Sequence, residues 1–197
     1  MLVEIAYALD PSARTLYRIR QPFRRGSPRS IFRPGFEREV PNAARGWEPV
    51  ESGILFWRLG FPAGNPSAQP ARAWDSLLRP PEPWGRPQSV LPGSVEVEIE
   101  VEVAGAEDAL ARLAEPLDAN ATRIVLSHAA PLPDPPAHVL VDGEWIRYER
   151  AEGFVVYVAA GGRGARGTRP AAHEAGAPVR AGRSFRMLVD IPAGGPP

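Results

Sequence analysis

The residues best suited to chemistry lie near the end of the chain. Gly161-Gly162-Arg163-Gly164-Ala165-Arg166-Gly167-Thr168 sets four glycines and two arginines directly after an apolar run. A phosphate-cradling loop needs Gly-x4-Gly-Lys-Ser/Thr opening a helix, so that backbone N–H groups and the lysine meet the anion. Gly162 and Gly167-Thr168 have that spacing, but the lysine is missing and Pro170 follows. A nucleotide site is therefore rejected. An Arg-Gly RNA-binding tract would be longer, repeated and disordered. The reading that remains is a tight, positively charged loop between strands, whose glycines permit positive φ and let Arg163 and Arg166 be displayed.

The histidines are His128, His138 and His173, and there is no cysteine. A metal would want at least three convergent ligands, and neither HxH nor HExxH spacing supplies them. His173, in Ala171-Ala172-His173-Glu174-Ala175-Gly176, suits a hydrogen bond that braces the loop. Asp142 and Glu144 form an acid pair, but they flank a turn, where solvated acids normally sit. No Gly-x-Ser-x-Gly nucleophile motif occurs. The sequence thus predicts no catalytic residue, no cofactor and no metal.

These residues must be held by strands. Asp142-Gly143 separates two alternating runs, His138–Asp142 and Glu144–Glu149, and signals a two-residue hairpin because both turn positions need positive φ. Thr122–Ser127, Phe154–Ala159 and Ser184–Ile191 also read as strands, as do Leu2–Ala8 and Thr15–Ile19 around the turn Asp10-Pro11-Ser12. Val95 to Val103 alternates apolar residues with Glu96, Glu98, Glu100 and Glu102, which a strand would place on one face. Same-face carboxylates about 7 Å apart do not converge on an ion; they call for solvent or for arginines on neighbouring strands, which the arginine-rich first half could supply. Glu107–Ala114, acidic at its start and stopped by Pro116, reads as a short helix.

Composition frames this pattern. Pro and Gly together make 43 of 197 residues, and 13 of the 24 prolines fall within residues 21–93. Proline at that density removes backbone donors and blocks helix interiors and central strands. The same stretch holds Trp47, Trp57, Trp74 and Trp84, unlike a free linker, so it is expected to be an extended arm that orders on assembly. The prediction is a mostly β chain: a small antiparallel β-sandwich or barrel with one short helix and long Pro-rich extended segments. Its parts are N-terminal strands (1–20), the Pro/Arg/Trp-rich arm (21–93), a strand and short helix (94–115), a C-terminal β-module (116–191) and a tail (192–197).

Net charge is zero, yet residues 1–93 carry 13 Arg against 8 acids, +5, and residues 94–197 carry 10 Arg against 15 acids, −5. Opposite halves suit packing on each other or association between copies. The run of arginines between Arg14 and Arg38 is read as a solvated or partner-facing face rather than as a nucleic-acid site. All 23 basic residues are arginine, which reads as a codon effect. Few Asn, Gln and Met with many prolines suit a thermophile, although missing lysine runs against that reading. Met1-Leu2-Val3-Glu4 lacks the basic and apolar regions of a signal peptide. The longest apolar run, Phe154–Ala160, is far shorter than the ~20 residues of a membrane helix.

One order of motifs resembles a known family. Ala137-His138-Val139-Leu140-Val141-Asp142-Gly143-Glu144-Trp145-Ile146-Arg147-Tyr148 is followed by Gly161–Thr168 and then by Ala171-Ala172-His173-Glu174-Ala175-Gly176-Ala177-Pro178-Val179. The succession of a Gly-Glu hairpin, an aromatic, Arg-Gly-x-x-Gly-Thr, Ala-His-x-x-Gly and a strand is similar to a small β-module of tail-associated structural proteins of tailed bacteriophages. Asp118–Leu126 fits the strand that opens it. The likeness covers residues 116–190; Gly161-Gly162-Arg163 departs from its usual aliphatic-Arg-Gly start, and residues 1–115 match nothing nameable.

The resemblance implies a non-enzymatic virion component, in the tail, tail tip or baseplate, made in the host cytoplasm. Its partners would be other virion proteins and copies of itself, with neither nucleic acid nor membrane. Arg163, Arg166, Thr168 and His173 would form its assembly loop, and the Pro-rich arm, which is read from composition and lies outside the likeness, would add Trp57, Trp74, Trp84, Arg24 and Arg25 as contacts. The alternative is a surface-binding or adhesion module that recognises host glycans or a partner protein, with tryptophans lining an open groove. A cell-wall hydrolase would need a convergent acid pair, which the sequence does not offer.

Overall fold

The computed structural model describes residues 3–22, 46–60, 94–102 and 109–190. It is mostly β, built of antiparallel sheets, as the alternation predicts. Among the described residues, twelve strands succeed one another: β1 Val3–Asp10, β2 Thr15–Pro22, β3 Glu48–Ser52, β4 Ile54–Gly60, β5 Ser94–Glu102, β6 Ala111–Arg112, β7 Arg123–Val125, β8 Ala137–Val141, β9 Glu144–Glu152, β10 Val155–Val158, β11 Pro178–Arg180 and β12 Gly182–Asp190. They form sheets of order β1-β2-β3, β6-β11-β8-β9-β10-β7 and β12-β5-β4. The chain divides into one compact unit of Met1–Leu55 with Glu100–Arg183, and another of Phe56–Ile99 with Ser184–Pro197.

The six-stranded sheet of the first unit is antiparallel throughout and curls into a half-barrel. Its concave side is filled by Ile124, Leu126, Val139, Val141, Ile146, Tyr148, Val156 and Val179, all at most 2% exposed. Each such aliphatic side chain contributes roughly 1.5–3 kcal/mol by leaving water. Val141 faces Glu144 in the β8–β9 register, so Asp142-Gly143 is the two-residue turn expected, with φ of 45° and 90°. A second, smaller core in this unit packs Trp47 and Ile19 against Ala6, Ala8 and Tyr17.

Two expectations need correction. Of the helix expected over Glu107–Ala114, Glu107 and Asp108 lie outside the described residues and residues 109–114 are not helical: Ala111–Arg112 form β6 and Leu113 is bridged to Leu126. Pairing with β11 and burial of Ala111 and Leu113 override the helix-favouring composition. Of the arm expected over 21–93, residues 23–45 and 61–93 lie outside the described residues, but Gln21 and Pro22 end β2 and residues 46–60 hold the strands β3 and β4. Trp47 is buried at 2% exposure, β3 pairs with β2, and Ile54 and Leu55 of β4 are buried. Among the described residues no helix is long and apolar enough to cross a membrane.

Candidate functional site

The turn between β8 and β9 brings the sequence's candidate residues together around one carboxylate. Glu144 opens β9 with its side chain 2% exposed. Its Oε1 accepts from Arg163 Nε at 2.8 Å and from the Gly164 backbone N–H at 3.0 Å. Its Oε2 accepts from Arg163 Nη2 at 2.9 Å and the Ala171 N–H at 3.0 Å, and lies 2.8 Å from His173 Nε2. Burial alone would raise this acid, but the hydrogen bonds from Arg163, His173, Ala171 and Gly164 outweigh it and hold the carboxyl at about 2. The pair that reads as solvated turn acids is therefore split: Asp142 is half exposed, whereas Glu144 is a buried anion.

Arg163 saturates the other side. Besides its fork on Glu144, it donates to the backbone carbonyls of Asp118 and of Ala171, the latter at 2.6 Å. His173 is tied by its backbone to Leu117 in both directions at 2.8 Å. Its Nδ1 faces Asp142 Oδ2 at 3.4 Å. A His–carboxylate pair can act as a general base only if one ring nitrogen can reach a substrate proton. Here both ring nitrogens face carboxylates and the side chain is 4% exposed. The arrangement braces the loop, as the sequence suggests for His173.

The glycines serve this packing. A Cβ on Gly162 would lie 2.8 Å from the Ala159 carbonyl oxygen and closer still to that of Arg147. Gly164, at φ 63°, would put one 2.6 Å from Pro170 Cδ. Thr168 closes the loop: its hydroxyl accepts from the Trp145 N–H at 3.0 Å and donates to the Ala165 carbonyl at 2.8 Å. Arg166, at φ 55°, reaches Glu100 Oε2 at 2.6 Å and stacks its guanidinium 4.3 Å from the Trp145 ring.

The arginines of this loop are thus not displayed. The Arg163 and Arg166 side chains are only 9% and 6% exposed, because each has a buried glutamate to neutralise. His138 stands edge-on to Trp145 at 6.2 Å. Burial first, then the Arg166 and Arg147 charges, push it down to about 4. Tyr148 is fully buried and donates to the Pro133 carbonyl; burial, with Glu100 and Asp134 adding, raises its phenol.

The glutamates of β5 find arginines. In the first unit Glu100 pairs with Arg166, and Glu102 takes Arg14 at 2.5 Å and Arg180 at 2.6 Å. In the second, Glu96 pairs with Arg186 at 2.7 Å and Glu98 with Arg58. Among these partners Arg14 and Arg58 come from the arginine-rich first half, and Arg166, Arg180 and Arg186 from the second. Among the described residues no cluster of His, Asp and Glu could hold a metal.

Of the expected arm contacts, Trp57 lies half-buried on β4, while Trp74, Trp84, Arg24 and Arg25 fall outside the described residues. Sequence reading placed Glu144 as a solvated turn acid and Glu100 among the strand carboxylates, and missed that both are buried. The signal was an arginine in the glycine loop for each, together with the return of His173. No protein-family model, curated protein or solved structure matches the chain.

Proposed function

We propose that this chain is a non-enzymatic structural component of a bacteriophage virion, working in the tail, tail tip or baseplate by subunit assembly. One observation carries the reading. Three fixed elements of the motif order that resembles the tail-associated β-module, the Gly-Glu hairpin, the Arg-Gly segment and the Ala-His segment, meet at Glu144, which the hairpin supplies. Arg163 and Gly164 come from the Arg-Gly segment, Ala171 and His173 from the Ala-His segment, and the Gly-Thr hydroxyl pins Trp145, the next residue of β9. The motif is thereby accounted for as the closure of a rigid scaffold, with no ligand required. Large apolar side chains exposed on strands, among them Ile5, Tyr7, Val50 and Phe185, give such a scaffold surfaces for neighbours.

Mass spectrometry of purified particles from the source culture, followed by labelling of this chain in electron micrographs, tests the reading. The chain is expected at fixed stoichiometry with other virion proteins and at one end of the tail. Its absence from the particles would overturn the proposal; binding of the isolated chain to host envelope glycans would favour the adhesion alternative.

A further inference from the structure

Among the described residues β12 stands at the edge of its three-stranded sheet, and every residue from Arg183 to Asp190 is exposed. Arg186 reaches Glu96, which places Arg186, Leu188 and Asp190 on the charged face and Phe185, Met187 and Val189 on the other. Phe185, Met187, Leu188 and Val189 are 54%, 57%, 60% and 43% exposed, and Leu188 is the most exposed large apolar side chain among the described residues. An edge strand with apolar groups on both faces presents a row of backbone donors and acceptors and is a template for strand addition.

We propose that the occupant is a second copy of this chain, β12 against β12 in antiparallel register about a two-fold axis at Leu188; this rests on the assembly reading above. Charge selects both partner and register. In an isologous strand pair, residue numbers facing one another have a constant sum, and that sum is even if each sheet face is to continue across the axis. With the axis at Leu188, Arg186 of each copy faces Asp190 of the other, Met187 faces Val189, and the two Leu188 side chains meet. An axis at Met187 would set Arg186 against an uncharged leucine, and an axis at Arg186 would set two arginines against each other. The pairing joins two three-stranded sheets into one of six, and it gives Leu188 an apolar neighbour that its own charged face does not.

The native chain has no cysteine, so Leu188→Cys introduces a unique thiol on the axis. Native mass spectrometry of the full chain is expected to give twice the monomer mass. Leu188→Cys is expected to become a disulfide-linked dimer under mild oxidation, and Met187→Cys to cross-link far more slowly. Asp190→Arg, which faces Arg186 with a like charge, is expected to halve the native mass with an unchanged circular dichroism spectrum. A monomeric wild-type chain, or equal cross-linking at positions 187 and 188, overturns the proposal. A chain monomeric alone yet present in particles sinks the self-pairing and spares the assembly reading; a β12-linked dimer absent from all particles does the reverse.

Discussion

Glu144 and Arg163 form a two-pronged ion pair, 2.8 Å and 2.9 Å between their atoms, with the carboxylate side chain 2% and the guanidinium side chain 9% exposed. Nineteen residues separate them, and the pair fixes the Gly161–Thr168 loop against the β8–β9 turn. Its strength shows less in the attraction itself than in the destabilisation caused by removing one partner.

Glu144→Leu would leave the Arg163 charge buried without its anion. Breaking a buried pair in this way costs about 3–5 kcal/mol. Urea unfolding followed by circular dichroism is expected to show that loss, whereas Glu174→Leu on the exposed part of the same loop should change stability little. Equal effects would refute the bracing role.

Acid should act in two windows. Glu144 sits at about 2 in the folded chain against an ordinary 4.5. Its contribution is complete above about 4.5 and is lost as pH falls toward 2, about 3 kcal/mol in all. His138 is lowered to about 4 from 6.5. The unfolded chain therefore binds the extra proton first, and stability falls as pH drops from 6.5 to 4. Stability measured across pH for wild type and His138→Gln should differ in slope only in that upper window.

Arg166 and Glu100 invite a double-mutant cycle. Arg166→Met leaves Glu100, 1% exposed, without the cation 2.6 Å away, and a loss of about 3–5 kcal/mol is expected. Adding Glu100→Leu removes the buried charge that Arg166 faced, so the double variant should regain much of that loss. Additive single effects would show that the pair is not coupled.

Gly164→Ala combines a positive φ with a Cβ 2.6 Å from Pro170 Cδ, and it should cost more than about 1 kcal/mol in the same unfolding assay. Gly143→Ala has open space around its Cβ and only its φ of 90° to strain it. The Gly164 variant should be the worse of the two.

Legibility in the sequence tracks the range of the forces involved. Asp142-Gly143 and the alternation of β8, β9 and β5 are legible because turn chemistry and period two are local. β6 is not, since Ala111–Arg112 is extended only by pairing with Pro178–Val179 far along the chain. The loop arginines look displayed in sequence because nothing local says that Glu144 and Glu100 are buried where the loop passes. Thr168 and His173 stand out by motif, yet their partners, Trp145 and Glu144, emerge only once the strands are paired. Trp47 reads as part of an arm because proline dominates its surroundings, although a single tryptophan against Ile19 is enough to seat a strand beside it.

The Glu144 cluster has a consequence for how this cysteine-free chain survives damage. Through one carboxylate and its arginine, the backbone is held at Asp118, Gly164 and Ala171 as well as at the hairpin, so a nick at the exposed Arg169 would cut the polypeptide between two anchors without freeing its ends. A secreted domain of similar size often uses a disulfide to that purpose. Here the clasp is ionic and dry: reducing agents leave it closed, moderate salt hardly screens it, and strong acid is the reagent that opens it.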